Sequence, residues 1–221
     1  MPAGDGGQGV GMATVEAACG VIAPMKPYAE SCDQNRLPIL DVLQRELAGR
    51  RRLLEIGSGT GQHAVFFGAR FPDLRWQTSD VAAAHPGIRA WLDEAKLDNV
   101  LPPLALDVCR DTWPRQTYDA VFSANTAHIM AWPEVECLFA GVGGVLETGG
   151  VFCLYGPFNY GGRYTSDSNA QFDRWLKARD PASGIRDFEA LCALAEDAGM
   201  AFRNDYEMPA NNRTLVWTKA A

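Results

Sequence analysis

Apolar positions along this chain follow two rhythms that take turns. Over residues 33 to 48, "DQNRLPILDVLQRELA", Leu37, Leu40, Val42, Leu43 and Leu47 recur at largely helical spacing. Asp33 stands where a cap belongs and Pro38 near the first turn, so the stretch predicts an amphipathic helix. "RRLLEIG" is then a short continuous apolar run ending in glycine, the pattern of a strand buried on both faces. The alternation continues with a helix over 60–70, a strand over 74–80, a helix near 85–96 and strands at "NVLPPLALDV" and "YDAVFSAN". A helix within "WPEVECLFAGVGGVLE" and the strand "GVFCLYGPF" follow. After 158 the pattern breaks into polar, glycine- and tyrosine-rich sequence, then resumes as helices around 169–178 and 187–198. The last two strands, "AFRNDYEMP" and "RTLVWTKA", are joined only by "ANN", too short for a parallel crossover, so they form an antiparallel hairpin. The predicted fold is α/β: a Rossmann-like, doubly wound, mostly parallel seven-stranded sheet that ends in an antiparallel hairpin, with helices on both faces.

Composition fits one domain. The 221 residues are 47% hydrophobic, enough for one large core, which we place over 25–221 behind a flexible, glycine- and alanine-rich leader over 1–24. The leader lacks the basic start and apolar run of a signal peptide, and no stretch approaches a membrane span, so a cytoplasmic protein is expected. A net charge of -7 disfavours a grip on nucleic acid or on an anionic membrane and leaves a small-molecule substrate as the favoured partner, for a monomer or a homodimer. Cys19, Cys32, Cys109, Cys137, Cys153 and Cys192 are scattered, with no pair at zinc or redox-motif spacing; they read as reduced thiols, and no metal is expected.

The candidate chemistry lies where the predicted strands end, because open parallel sheets bind ligands beyond the carboxyl ends of their strands. "LLEIGSGTGQH" places Gly57, Gly59 and Gly61 after the first strand, as G-x-G-x-G rather than the G-x-G-x-x-G of dinucleotide sites. Glu55 precedes the loop by two positions and would repel a pyrophosphate while favouring an ammonium. Asp80 closes the second strand, as a ligand for ribose hydroxyls or a cap for the next helix, and Asp107 ends "LALDV", as a ligand for an adenine amino group or a turn cap. An ammonium, a ribose and an adenine together describe S-adenosyl-L-methionine.

At these residues the chain resembles class I S-adenosylmethionine-dependent methyltransferases, over roughly residues 28–219. "AESCDQNRLPILDVL", "EIGSGTGQHAVFF" and "NTAHIMAWPEVECLFAGVGGVL" are similar to the methyltransferase-like 26 family, long labelled a domain of unknown function. The resemblance implies the fold and the cofactor and says little about the methyl acceptor. The candidate cofactor set is Glu55, Gly57, Ser58, Gly59, Gly61, His63, Asp80, Asp107, Val108 and Asn125, with His63 otherwise a packing residue. Asn125 and His128, just beyond the fourth strand, are the catalytic candidates; a histidine there can take a proton or orient a substrate, or simply start a helix. The stretch after the fifth strand groups Tyr155, Asn159, Tyr160, Arg163 and Tyr164, which with Tyr28 are the acceptor-binding candidates, in an insertion around 156–185 that forms an acceptor site or lid. His85 reads as surface, and Phe66, Phe67 and Trp76 as core. "SANT" stands where some related enzymes carry a "DPPY"-type tetrapeptide, so adenine or glutamine acceptors are less attractive, while protein side chains and oxygen, nitrogen or sulfur acceptors stay open. The competing readings are a nicotinamide-dependent oxidoreductase, against which glycine spacing and Glu55 argue, and a non-catalytic cofactor-binding regulator.

Overall fold

A computed structural model describes residues 26–220; the expected leader and Cys19 lie outside them. The chain runs α1 (Glu30–Glu46), β1 (Arg52–Ile56), α2 (Gln62–Gly68), β2 (Arg75–Asp80), a 3-10 turn and α3 (His85–Ala95), then β3 (Val100–Ala105) and β4 (Tyr118–Ala124). It continues through α4 (Trp132–Val145), β5 (Leu146–Gly156), β6 (Phe158–Asn159), α5 (Asp167–Arg179), β7 (Arg186–Asp187), α6 (Phe188–Asp197), β8 (Met200–Met208) and β9 (Asn212–Lys219).

Seven strands form one sheet in the order β3-β2-β1-β4-β5-β9-β8, parallel except for β9, which runs antiparallel to both β5 and β8. The predicted fold is therefore the observed one. Side chains of the central strands point alternately to two separate cores. Leu54, Val121, Phe152 and Trp217 join α4 and α6 residues such as Leu138, Phe139 and Leu191 on one face. Leu53, Phe122, Cys153 and Val216 join Ile39 and Leu43 of α1 and Phe67 of α2 on the other. Because both faces are buried there, β1, β4 and β5 each carry a short apolar run, Leu53–Leu54, Ala120–Phe122 and Val151–Leu154.

Four details depart from the sequence reading. First, α1 starts at Glu30 with Ala29 before it, so Asp33 is not its cap but a first-turn acid paired with Arg36 and Tyr28; Leu37 is exposed. Second, the polar break after 158 contains β6, which pairs in parallel with β7 and ties the insertion to the start of α6. Third, His85 is half-buried: its Nε2–H donates to the carbonyls of Asp80 (3.0 Å) and Leu104 (3.2 Å), clasping the ends of β2 and β3. Fourth, Cys109 and Cys137 form a disulfide, so they are not the reduced thiols expected; Cys32, Cys153 and Cys192 are free. Short-range spacing misses this pair because the turn after β3 and the middle of α4, 28 positions apart, meet only in the fold. The pairing also removes one ground for expecting a cytoplasmic protein. Among the described residues no helix is long and apolar enough to cross a membrane.

Candidate functional site

Strand order reverses between β1 and β4, and the glycine loop leaves the sheet at that switch point. Gly57, Gly59 and Gly61 all have positive φ (70°, 58° and 91°), so the loop turns at every second residue. A Cβ on Gly57 would overlap the methyl group of Thr126, which fixes how closely the loop approaches the segment after β4. At Gly59 a Cβ would meet nothing, so this part of the loop faces open space.

Under the loop a polar cluster holds it down. Ser58 receives the Ser79 amide at 3.1 Å on its Oγ and donates from that hydroxyl to Glu55 Oε2 at 3.0 Å, while its own amide donates to the Ser79 carbonyl. Trp76 Nε1 donates to the same Glu55 oxygen at 2.9 Å. Glu55 is only 2% exposed, and burial pushes its carboxyl up to about 7 despite these two bonds, with the charge of Asp80 adding to the rise. Burial and the nearby Glu55 charge likewise raise the Cys32 thiol of α1 to about 11.

Asp80, at the end of β2, binds the loop directly. Gly59 N–H donates to its Oδ2 at 2.8 Å and Val81 N–H to its Oδ1 at 2.7 Å. Asp107 lies two residues beyond β3, in a turn: Oδ1 accepts from the Cys109 and Arg110 amides, and its own amide donates to Asp111. Val108 sits in the apolar core with its carbonyl bonded to Trp113 Nε1 at 3.0 Å. Asn125 holds a left-handed conformation (φ 59°), which asparagine tolerates better than most residues, and its amide donates to the Tyr155 carbonyl at 2.9 Å.

The amino-terminal segment closes over this edge. Trp91 Nε1 donates to the Pro27 carbonyl (2.7 Å), and Ala29 N–H donates to Gln62 Oε1 (2.6 Å), while Gln62 Nε2 is buried with no partner among the described residues. His63 serves this cover rather than opening onto the glycine loop: its Nε2 meets Asn35 Oδ1 at 2.7 Å, and its ring stacks on Phe67. Burial lowers its pKa to about 4.

Beyond β4 a cavity of about 690 Å³ opens, lined by Ser31, Asn125, His128, Ile129, Phe172, Trp175, Leu176, Arg179, Asp180 and Ser183. Asn125 and His128 thus share one cavity, as their sequence neighbourhood suggests. His128 is buried and lowered to about 4 by burial and then by Arg186, so it is neutral at neutral pH, with one N–H and one lone pair. Its carbonyl accepts the Gly184 amide at 2.9 Å, which pulls the loop after α5 onto the cavity.

The acceptor candidates do not assemble as one group. Gly161 and Gly162 make a tight turn in which Tyr160 and Arg163 pair backbone to backbone, and the two side chains part. Tyr160 turns to the terminal hairpin, donating to Asp205 (2.7 Å) and accepting from Arg213 (3.2 Å), in a second cavity of about 520 Å³. Arg163 is exposed. Tyr164 donates instead to Asp173, a buried acid of α5 that also accepts from Lys177 and the Ile185 amide. Tyr155 is buried and, with Asn125, lines a separate small cavity beside Asn35. Asn159 is buried with its Oδ1 unpartnered among the described residues, and Tyr28 is 62% exposed. What the sequence reading missed is the cavity's actual wall: Phe172, Trp175, Leu176 and Arg179, whose helical spacing on α5 was the available signal.

The fold recurs in solved O-methyltransferase family proteins and in an S-adenosylmethionine-dependent methyltransferase. An O-methyltransferase family protein from Burkholderia thailandensis matches with TM-score 0.74 at 16% identity, covering 84% of this chain and 56% of that one. An O-methyltransferase family 2 protein from Planctomyces limnophilus, in complex with apigenin, matches with TM-score 0.74 at 17% identity over 84% of this chain and 56% of its own. The S-adenosylmethionine-dependent methyltransferase SibL in its apo form matches with TM-score 0.71 at 20% identity over 86% of this chain and 56% of its own. The chain spans a little over half the length of these proteins, and at such identities the likeness concerns the fold. Residues 26–219 match the family described as "Protein of unknown function (DUF938)", and the chain belongs to that family.

Proposed function

We propose that this protein is an S-adenosyl-L-methionine-dependent methyltransferase that acts on a small molecule, built as a single domain over 25–221 whose 156–185 insertion walls the acceptor cavity. The observation that carries the reading is the left-handed glycine loop at the switch point, open at Gly59 and flanked by Glu55 and Asp80, with Gly57 packed against Thr126, the residue after Asn125 of the cavity wall. The similarity of the loop and α4 segments to the methyltransferase-like 26 family supports the same reading and leaves that narrower kinship part of the proposal.

The residues fit the cofactor on their own chemistry. Asp80 Oδ2 spends one lone pair on the loop and Oδ1 one on its own turn, and each keeps another for a ribose hydroxyl. Asp107 Oδ2 has only a 3.8 Å ion pair with exposed Arg110, so it can accept an amino group. Glu55 is a carboxyl that gains by ionising beside an ammonium, and Gly57, Ser58 and Gly61 shape the loop between these acids. When bound, the cofactor supplies an activated methyl group, so the protein's task is positioning. Neutral His128 and Asn125 hold the acceptor by hydrogen bonds at the cavity's buried end and orient its reacting atom towards the loop. A base near pKa 4 is too weak to ionise a hydroxyl beforehand, so His128 acts by orientation and by receiving the proton as the acceptor loses it.

Calorimetry with S-adenosylhomocysteine beside NADH tests the reading. Binding of S-adenosylhomocysteine with no NADH binding is expected, and Asp80→Ala should weaken it by roughly 1–3 kcal/mol. Selective NADH binding, or no binding of either at millimolar concentration, refutes it.

A further inference from the structure

The wall of the acceptor cavity is one side of α5. Phe172, Trp175, Leu176 and Arg179 recur at three- and four-residue intervals and so share a helix face. Phe172 and Trp175 lie nearly parallel, with ring centroids 5.7 Å apart and 17° between planes. At the buried end the His128 imidazole meets Phe172 edge-on at 5.3 Å. At the exposed end the Arg179 guanidinium lies 4.5 Å from the Trp175 ring. Trp175 is nonetheless 50% exposed, so a flat apolar surface inside a cavity is left wet, which a ligand ring would relieve.

The charges along this face are equally uneven. Among the described residues Arg179 has no ion pair. Its neighbour Asp180 turns back into the following turn, accepting the Ala182 amide at 3.0 Å. Asp173 is buried and bonded to Tyr164, Lys177 and the Ile185 amide. The cavity therefore has neutral hydrogen-bonding groups at its inner end, an aromatic shelf along its side and, at its mouth, a planar cation beside Asp180, whose Oδ1 is held by the Ala182 amide. Seven residues from Phe172 to Arg179 span about 10 Å along the helix, the length of an extended or two-ring aromatic acid rather than of a free amino acid.

We propose that the methyl acceptor is a planar aromatic acid whose ring lies on the Phe172–Trp175 shelf, whose carboxylate pairs with Arg179, and whose reacting atom points to His128 and Asn125. This rests on the methyltransferase reading, and a planar guanidinium stacked on an indole is suited to hold a carboxylate in the plane of a stacked ring. The test is calorimetry on the full chain saturated with S-adenosylhomocysteine, titrated with 6-hydroxy-2-naphthoate, 4-hydroxycinnamate, 2-naphthol and 4-hydroxycyclohexanecarboxylate. The two aromatic acids should bind, 2-naphthol about tenfold more weakly than the naphthoate, and the saturated acid more weakly than either aromatic acid. Arg179→Gln should cost the naphthoate about tenfold and leave 2-naphthol unchanged, whereas Trp175→Leu should weaken both and abolish the fluorescence quenching that the aromatic ligands cause. Equal naphthoate affinity in Arg179→Gln, or a saturated acid that binds as well as the aromatic ones, overturns the proposal. So does a dimer that Trp175→Leu dissociates in sedimentation, because a second copy would then cover the shelf. Binding of S-adenosylhomocysteine without either aromatic acid rejects the acceptor class alone, and failure of S-adenosylhomocysteine itself to bind rejects the methyltransferase reading beneath it.

Discussion

Glu55→Gln separates the charge of this residue from its hydrogen bonds. Glutamine keeps an oxygen that can accept from Ser58 and Trp76, as Glu55 Oε2 does, but has no proton to lose. Burial lifts the carboxyl from its ordinary 4.5 to about 7 in the folded chain. Between those pH values the folded state therefore holds a proton that the unfolded chain has released. The resulting contribution to stability is fully present below about pH 4.5 and is lost as pH rises through 7. The interval between 4.5 and 7, at about 1.4 kcal/mol per pH unit, amounts to about 3 kcal/mol. Urea denaturation of parent and variant across this range reads it, because every other titrating group is common to both and cancels in the difference. The variant should gain about 3 kcal/mol on the parent between pH 4.5 and 8. A difference that does not change with pH would refute the argument from burial. The same residue makes a second, opposite statement about the ligand. An ammonium beside Glu55 favours its ionised form, so S-adenosylhomocysteine binding at pH 6 should release a proton, seen as a dependence of the measured heat on buffer ionisation enthalpy. The release should vanish in the variant, whose affinity at pH 8 should be about tenfold weaker. Proton uptake, or release that survives in Glu55→Gln, would mean that the ammonium lies elsewhere.

Three further outcomes are expected. Gly57→Ala should destabilise the chain by about 2–4 kcal/mol in urea melts, from the left-handed backbone and the overlap with the Thr126 methyl, and adding Thr126→Ser, which deletes that methyl, should recover part of the loss. Cys137→Ser opens a 28-residue loop and should cost about 3–4 kcal/mol, with reductant reproducing the effect in the parent and changing nothing in the variant. His63 and His128 are both lowered from 6.5 to about 4, so the stability they contribute is present above pH 6.5 and lost as pH falls towards 4; in a Glu55→Gln background, His63→Asn should remove about half of that acid-side loss, measured by urea melts from pH 7 to 4.

The sheet was legible in the sequence because its central strands are buried on both faces, which forces apolar runs at β1, β4 and β5 and leaves only their ends free for polar chemistry. The glycine loop was legible for the same reason, since a triple glycine at the end of such a strand has few structural uses. The wall of the cavity beside His128 was not. Tyr160, Arg163 and Tyr164 are neighbours in sequence, but one tight turn sends Tyr160 to Asp205 and Arg213 and leaves Tyr164 to Asp173. The face of α5 that carries Phe172, Trp175 and Arg179 was present as a helical repeat, yet which side of the helix meets His128 is set by contacts from Asp173 to Ile185 and from His128 to Gly184, both long-range. Local composition therefore selected aromatic residues that were near in sequence over those that the docking of α5 brings near in space.

For the acids at the strand ends, the alternatives that the sequence left open turn out to be compatible. Asp80 was either a ribose ligand or a cap, and the structure makes it a clamp on the glycine loop through Gly59 and on its own turn through Val81. A carboxylate has about four acceptor sites, and these two bonds occupy half of them. Spending them fixes the orientation of the group and shapes the loop around it, so a hydroxyl pair arriving at the remaining lone pairs meets a carboxylate that has no rotamer freedom left to lose. Asp107 is arranged in the same way: Oδ1 caps the turn and Oδ2 is left to a weak partner. The capping bonds are thus what would make these acids selective for a ligand, and Asp80→Asn, which replaces one acceptor oxygen by a donor, should disturb the loop and the ligand together rather than either alone.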